Sequence, residues 1–172
     1  MNKKLANKSP HANRKVYGEY LSERIYGSIT LVGINLGLLL NVDHIDVRHA
    51  LNTVITTALG LWAASLFAEY MSYRVMNNSA MPKKELLHHI IVHRGILVAA
   101  IPTLILLGLA SIDAIGLRAA LLTDIILALI GLAVLVVRAA VTATSNVQTT
   151  VITIAFQTVA AVAIISLKIF SH

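Results

Sequence analysis

The chain has 172 residues, of which 57% are hydrophobic and only 13% are charged, and this balance excludes an ordinary soluble domain. The net charge of +6 does not indicate a nucleic-acid partner, because the cations lie outside the apolar blocks and mostly on one side of them. The absence of cysteine excludes disulfides, thiolate metal sites and cysteine redox motifs. We therefore expect an integral membrane protein, with the lipid bilayer as its surroundings and no bound cofactor.

Five apolar blocks, joined by short polar connections, define the predicted fold. About 20 apolar residues at ~1.5 Å each match a hydrocarbon core of ~30 Å. The connections leave no room for a second domain. We predict an all-α, five-helix transmembrane bundle over residues 25–168, with spans at about 25–42, 50–75, 87–112, 117–137 and 148–167.

Residues 1–24 form a basic tail with two open interpretations. Val16, Tyr17, Tyr20 and Leu21 share one helical side, with charges opposite, which is typical of a short helix lying on the membrane surface. The alternative is that this stretch is the lead-in to the first span. No small-residue cleavage signal follows the first apolar block, so we expect no cleaved signal peptide.

The distribution of lysine and arginine predicts the orientation. Of the fourteen, eleven fall on the side of the N-terminus, and the other side holds Arg48, Arg118 and Lys168. Cytoplasmic loops carry the excess of these cations. The N-terminus is therefore expected in the cytoplasm and the C-terminus outside, in a cell membrane, which we interpret as a bacterial cytoplasmic membrane.

Small residues and one proline predict how the spans pack. Gly33 and Gly37 form a small-xxx-small pair in the first span, which favours close helix contact and a homodimer. Pro102 lies inside the third span and is expected to kink it. The second span has a ridge of small residues that is predicted to pack against a neighbour: Thr53, Thr57, Gly60, Ala64 and Ala68.

Glu69 is the ionisable residue of the second span. It lies beside the small-residue ridge, one turn before Arg74. A carboxylate inside a membrane span is costly, by ~2.5 kcal/mol or more at the centre. Two interpretations are open: Glu69 is kept for transport, or it reaches the interface and pairs with Arg74.

Further polar residues predict a hydrophilic path through the bundle. Asp124 lies about two turns inside the fourth span, on a face of small residues, with no cation within a turn on its helix. Together with Glu69, Asn35 and Gln157 it is a candidate for the transport path, since intramembrane ionisable groups favour the bundle interior. For the neutral Asn35 and Gln157, interhelical hydrogen bonding is the favoured interpretation.

Histidines raise the question of a metal site. His89 and His93 are spaced i, i+4 at the start of the third span, with His88 beside them, and this spacing places two imidazoles on one helix face. The sequence fixes no third ligand, so a structural or solvated role is favoured over metal. The loop with Asp43, His44, Asp46 and His49 is expected to be solvated rather than to bind a cation.

One short motif carries a family resemblance. The stretch 65–72, SLFAEYMS, resembles the end of the second span in the vacuolar iron transporter family, where S-M-x-x-G-E-Y-x-S recurs. Leu66 stands where that family has a methionine ligand, so Glu69 is the one membrane ligand carried over. The resemblance implies a dimer that exchanges divalent iron or manganese for protons. The five-span pattern also resembles small bacterial membrane proteins.

The leading hypothesis is therefore a multi-pass membrane protein that transports a small cation, divalent or proton-linked. Glu69 and Asp124 are its predicted titrating or ligating groups. The alternative is a membrane scaffold or partner subunit that transports nothing. The sequence carries no nucleophile elbow, H-E-x-x-H motif or phosphate loop, so an enzyme is not expected.

Overall fold

The computed structural model describes residues 10–142, and this part of the chain forms helices and no strand. In order these are α1 (Pro10–Leu40), α2 (Val47–Asn77), α3 (Lys83–Ser111) and α4 (Leu117–Thr142). The all-α class predicted from the sequence is confirmed. The predicted fifth span, 148–167, lies outside the described residues.

Three of the helices are long and apolar enough to cross a membrane. They are α2, α3 and the 117–135 part of α4. Helix α1 is not among them, because its uncharged part, residues 25–40, is shorter than the ~20 residues of a usual span and follows Glu23 and Arg24 directly. The number of five spans and the orientation stay predictions.

Helix α1 runs without interruption from Pro10 to Leu40. The amphipathic stretch around Tyr17 and Tyr20 is therefore the first part of the same helix that carries the first predicted span. This continuity favours the lead-in over a separate surface helix.

Helix α3 lies at the centre of the four and packs against α1, α2 and α4. Its closest approach is to α1, at two glycines. A Cβ atom on Gly95 would lie 2.7 Å from the carbonyl oxygen of Tyr20, and one on Gly27 would lie 2.9 Å from Cα of Ile96. The contacts advance together along both sequences, so α1 and α3 run parallel. This seam fixes the position of α1 along α3, and therefore which side chains of the two helices meet.

The outward surface of the bundle is apolar. In the apolar windows of α2, α3 and α4, only 17%, 39% and 22% of the residues are buried. Large hydrophobic side chains on each of these helices face outward instead, among them Leu59, Phe67, Ile101, Ile105, Ile126 and Ile130. In water such a surface would be unusual, whereas hydrocarbon chains solvate it well. The surface therefore supports a membrane-embedded protein.

The buried face of α2 differs from the predicted one. The helix buries Ala50, Val54 and Ala58, which recur every four residues and pack into the core. In the described part of the chain the predicted ridge is instead open, with Gly60, Ala64 and Ala68 exposed. Close packing of these three residues against a neighbour is not formed within residues 10–142 and stays a prediction.

The loop between α1 and α2 uses its acids for structure. Asp46 caps α2 by accepting a hydrogen bond of 2.7 Å from the backbone N–H of His49. Asp43 pairs with Arg118 at 3.2 Å on the exposed surface. Both contacts fit the expectation of a solvated loop.

The other end of α2 is terminated by Asn78, which follows the last helical residue. Its left-handed backbone (φ 47°) ends the helix.

Candidate functional sites

Three buried polar side chains meet inside the bundle, and we call them the interior cluster: Asn35 of α1, Thr103 of α3 and Asp124 of α4. Asn35 donates its amide to Asp124 Oδ2 at 2.5 Å, and the Thr103 hydroxyl donates to the same oxygen at 2.8 Å. Asn35 also reaches Thr103 Oγ1 at 3.4 Å. The three residues are at most 3% exposed. The cluster therefore joins three helices by side-chain hydrogen bonds in a region shielded from solvent.

Local sequence explains why these side chains turn inward. Ala120 and Leu121 are fully buried on the same side of α4 as Asp124. On α3, Ala100, Thr103 and Leu107 form one buried stripe at helical spacing. The sequence expectation that Asp124 lies on an inward, small-residue face agrees with its burial.

A cavity of about 130 Å³ lies next to the interior cluster. Arg24 and Ser28 of α1, Asp124 and Gly131 of α4, and Pro102 of α3 contribute to its wall. Along α1, Arg24 precedes Asn35 by eleven residues, which is about 16 Å of helix. The cavity thus places a cationic group and the buried carboxylate on one internal surface, at different heights.

Pro102 has a direct effect on this wall. Helix α3 continues through the proline, from Lys83 to Ser111. Because proline has no N–H, the carbonyl oxygen of Val98, four residues earlier, loses its helical hydrogen bond. Val98, Pro102 and Thr103 all line the cavity. The residue predicted to kink the span therefore lies in the cavity wall, directly before Thr103.

A second group, which we call the end cluster, lies near the loop that joins α2 to α3. It consists of Glu69 of α2 with His89 and His93 of α3. One ligand atom from each lies within 4.8 Å of the other two. The rings of His89 and His93 stack with centroids 6.0 Å apart and an interplanar angle of 21°. Helix α2 thus supplies the third group that the histidine spacing could not fix.

His93 is the buried member of the end cluster, with 3% of its surface exposed. Neither of its ring nitrogens has a hydrogen-bond partner in the described part of the chain. Oε2 of Glu23 lies 3.2 Å from Nδ1 of His93, within ion-pair distance but without hydrogen-bond geometry. Buried polar atoms are nearly always hydrogen-bonded, so this imidazole is an exception that requires an explanation.

His88 belongs to a separate pair. Its Nε2 lies 3.1 Å from Oε2 of Glu19, and both side chains are about one-third exposed. Its ring contacts His89 edge-on, with centroids 5.4 Å apart. Of these three histidines, His89 and His93 therefore lie near Glu69, whereas His88 pairs with Glu19 of α1.

The structure separates the two acids that the sequence hypothesis joined. Glu69 lies in the end cluster and does not line the cavity beside Asp124. Among residues 10–142, Glu69 also makes no ion pair with Arg74. Asn35 contacts Asp124 directly, and Gln157 lies outside the described residues. The cavity beside Asp124 therefore does not extend to Glu69, and a path joining the two acids stays a prediction.

Sequence reasoning missed Thr103 and Glu23. Thr103 is an ordinary residue of an apolar span, and its one signal is the adjacent Pro102. Glu23 precedes His93 by seventy residues, and only the parallel packing of α1 on α3 brings the two together. No local pattern could have indicated that contact.

Comparison with known proteins adds no further constraint to this geometry. No family model, curated protein or solved structure matches the chain. The resemblance of residues 65–72 to the vacuolar iron transporter family stays a prediction.

Proposed function

We propose that this protein transports a small cation across a membrane, with Asp124 as the group that binds the cation or proton. The observation that carries the proposal is the interior cluster beside the internal cavity. A carboxylate in a membrane interior is costly unless it is used or compensated. Among the described residues, Asp124 is compensated by two neutral donors and by no ion pair.

The donor atoms around Asp124 suit a hard cation or a proton. The carboxylate, the Thr103 hydroxyl and the Asn35 amide each offer oxygen, and Oδ1 of Asn35 is buried without a hydrogen-bond partner. Hard cations are bound by oxygen ligands of this kind. An ion that approached Asp124 through the cavity would find the unpaired acceptor of Asn35 next to the carboxylate.

Flux measured in proteoliposomes tests the proposal. The purified chain is reconstituted and assayed with a panel of protons, sodium, potassium and divalent ions. Flux is expected for the wild type and is expected to vanish in Asp124→Asn, which keeps hydrogen-bonding capacity but removes the charge. Asp113→Asn, in the exposed turn between α3 and α4, is the matched control and should retain flux.

The alternative function is a membrane scaffold in which the interior cluster only joins helices. The hydrogen bonds that join α1, α3 and α4 favour it. Absence of flux for every ion, or flux that survives Asp124→Asn in folded protein, would establish the scaffold instead.

Assembly and orientation belong to the same proposal. We expect a homodimer with the N-terminus in the cytoplasm. A Cβ atom on Gly33 would meet nothing within 4 Å among the described residues, so this part of α1 is open to a further helix. Gly33→Leu should weaken dimers in detergent, and a reporter fused after His172 should read as extracytoplasmic.

A further inference from the structure

We infer that Glu69, His89 and His93 form a binding site for a divalent transition-metal ion of the zinc, cobalt or ferrous type. The first step is convergence: two imidazoles and one carboxylate, from two helices, bring one ligand atom each to within 4.8 Å of one another. A tetrahedral metal ion at ~2.0–2.2 Å from each ligand atom holds those atoms roughly 3.3–3.6 Å apart, so a shift of about an ångström in the side chains completes the site.

The second step is the state of His93. Its ring is 3% exposed, and both nitrogens lack a hydrogen-bond partner in the described residues. A structural histidine in the core would ordinarily have one. A metal ion satisfies a buried nitrogen as well as a hydrogen bond does, and a ring nitrogen of His93 lies within 4.8 Å of a ligand atom of Glu69 and of His89. The unpartnered ring is thus explained by a ligand.

The third step is the carboxylate behind the ring. Metal-ligating histidines commonly hold their second nitrogen against a carboxylate, which fixes the tautomer and the ring orientation. Glu23 of α1 lies 3.2 Å from Nδ1 of His93 and is in position for this role. Nε2 of His93 then remains as the donor to the metal. Glu23 is a positioning residue, not a ligand.

The donor set defines the class of metal. Imidazole nitrogen suits zinc, iron, nickel and copper, whereas magnesium and calcium prefer sites made of oxygen. Two histidines with one glutamate leave a fourth position open for water or an exchanging ligand, unlike the closed four-ligand sites of structural zinc. Glu69 and His89 are partly exposed, so the ion can reach the site from the surface.

This site does not depend on the proposed transport, because binding is measured without a gradient. The full chain, purified in detergent without a polyhistidine tag, is titrated with Co²⁺ and followed by visible absorption, then with Zn²⁺ in competition. One Co²⁺ per chain is expected, displaced by Zn²⁺ and not by Mg²⁺. His89→Ala and Glu69→Gln should each weaken Co²⁺ binding by more than about 100-fold. This exceeds the effect of losing a residue that only orients a ligand.

Two further variants separate the site from general histidine binding. His88→Ala, whose ring faces Glu19, is the matched control and should bind Co²⁺ like the wild type. Glu23→Gln should weaken binding by roughly 10–100-fold. Helical circular dichroism verifies that each variant is folded. No Co²⁺ bound by the wild type, binding unchanged in folded His89→Ala or Glu69→Gln, or equal displacement by Mg²⁺ would overturn the inference.

Discussion

The interior cluster and the end cluster each contain one of the two predicted transport acids, but they differ in how their buried polar atoms are partnered. Asp124 accepts hydrogen bonds from Asn35 and Thr103, both buried residues of neighbouring helices. The ring of His93 in the end cluster is equally buried, yet its nitrogens accept and donate none within the described chain. The interior cluster thus joins three helices and keeps one unpaired acceptor, Oδ1 of Asn35, whereas the ring of His93 has no hydrogen-bonded partner among the described residues.

The same seam positions both clusters. Helices α1 and α3 approach closely at Gly27 and Gly95, and from there they present Glu23 to His93 at one end and Asn35 to Thr103 farther along. The difference between the clusters therefore does not come from separate scaffolds. It arises from the acid that the third helix adds. Asp124 of α4 accepts hydrogen bonds from both partners in the interior cluster, whereas Glu69 of α2 makes no hydrogen bond within residues 10–142.

The largest expected effect comes from breaking the seam. In Gly95→Ala the new methyl would lie 2.7 Å from the Tyr20 carbonyl oxygen and 3.0 Å from the Arg24 nitrogen, both backbone atoms. Because backbone cannot move aside easily, we expect a loss near the upper end of the usual 1–3 kcal/mol for overpacking. Thermal unfolding in detergent measures it. Gly108→Ala, at a glycine of α3 whose added Cβ would meet no described atom within 4 Å, is the control, and an equal loss there would contradict the seam.

The next largest effect is the stabilisation of the end cluster by a bound metal ion. Zn²⁺ at 100 times its dissociation constant should raise the free energy of unfolding of the wild type by about 2.7 kcal/mol, because it binds the folded state. The gain should persist in Asp124→Asn and disappear in His89→Ala. Thermal unfolding with and without Zn²⁺ provides the measurement. Stabilisation that persists in His89→Ala would place the ion elsewhere.

A third prediction contrasts one acid with the other. Asp124→Ala removes the acceptor of two buried donors and should cost about 2 kcal/mol of stability, within the range for buried groups left unsatisfied. Glu69→Ala in a chelating buffer should change stability by less than about 0.5 kcal/mol, since that side chain is partly exposed and makes no hydrogen bond within residues 10–142. Chemical unfolding curves of both variants test this. Equal losses would mean that the two clusters have the same structural role.

The smallest effect concerns one hydrogen bond of the interior cluster. Thr103→Val keeps the volume but removes the hydroxyl, and should cost about 1 kcal/mol, as interhelical hydrogen bonds in membranes do. Thr103→Ser keeps the hydroxyl and should retain the bond to Asp124. If Val and Ser variants unfold at the same temperature, the loss is due to packing and not to the hydrogen bond.

Several site residues were predictable because their signals are local. The i, i+4 spacing of His89 and His93 follows from the helix repeat, and the inward direction of Asp124 follows from its small-residue face. The small-residue ridge predicted on α2 is not the face that the helices of residues 10–142 bury, for a related reason. Its residues and the buried Ala50, Val54 and Ala58 lie on adjacent faces, and periodicity alone assigns no neighbour to either.

The sequence by itself determined the helical class, the outward apolar surface and the helix face on which each polar residue lies, because these depend on composition and on the 3.6-residue repeat. Only the tertiary structure decided which faces meet. Glu69 lies beside two histidines of α3, and Asp124 accepts hydrogen bonds from Asn35 and Thr103. The physical reason is that height and rotation between helices are set by close contacts such as Gly95 against Tyr20, over long sequence separations that local patterns do not encode.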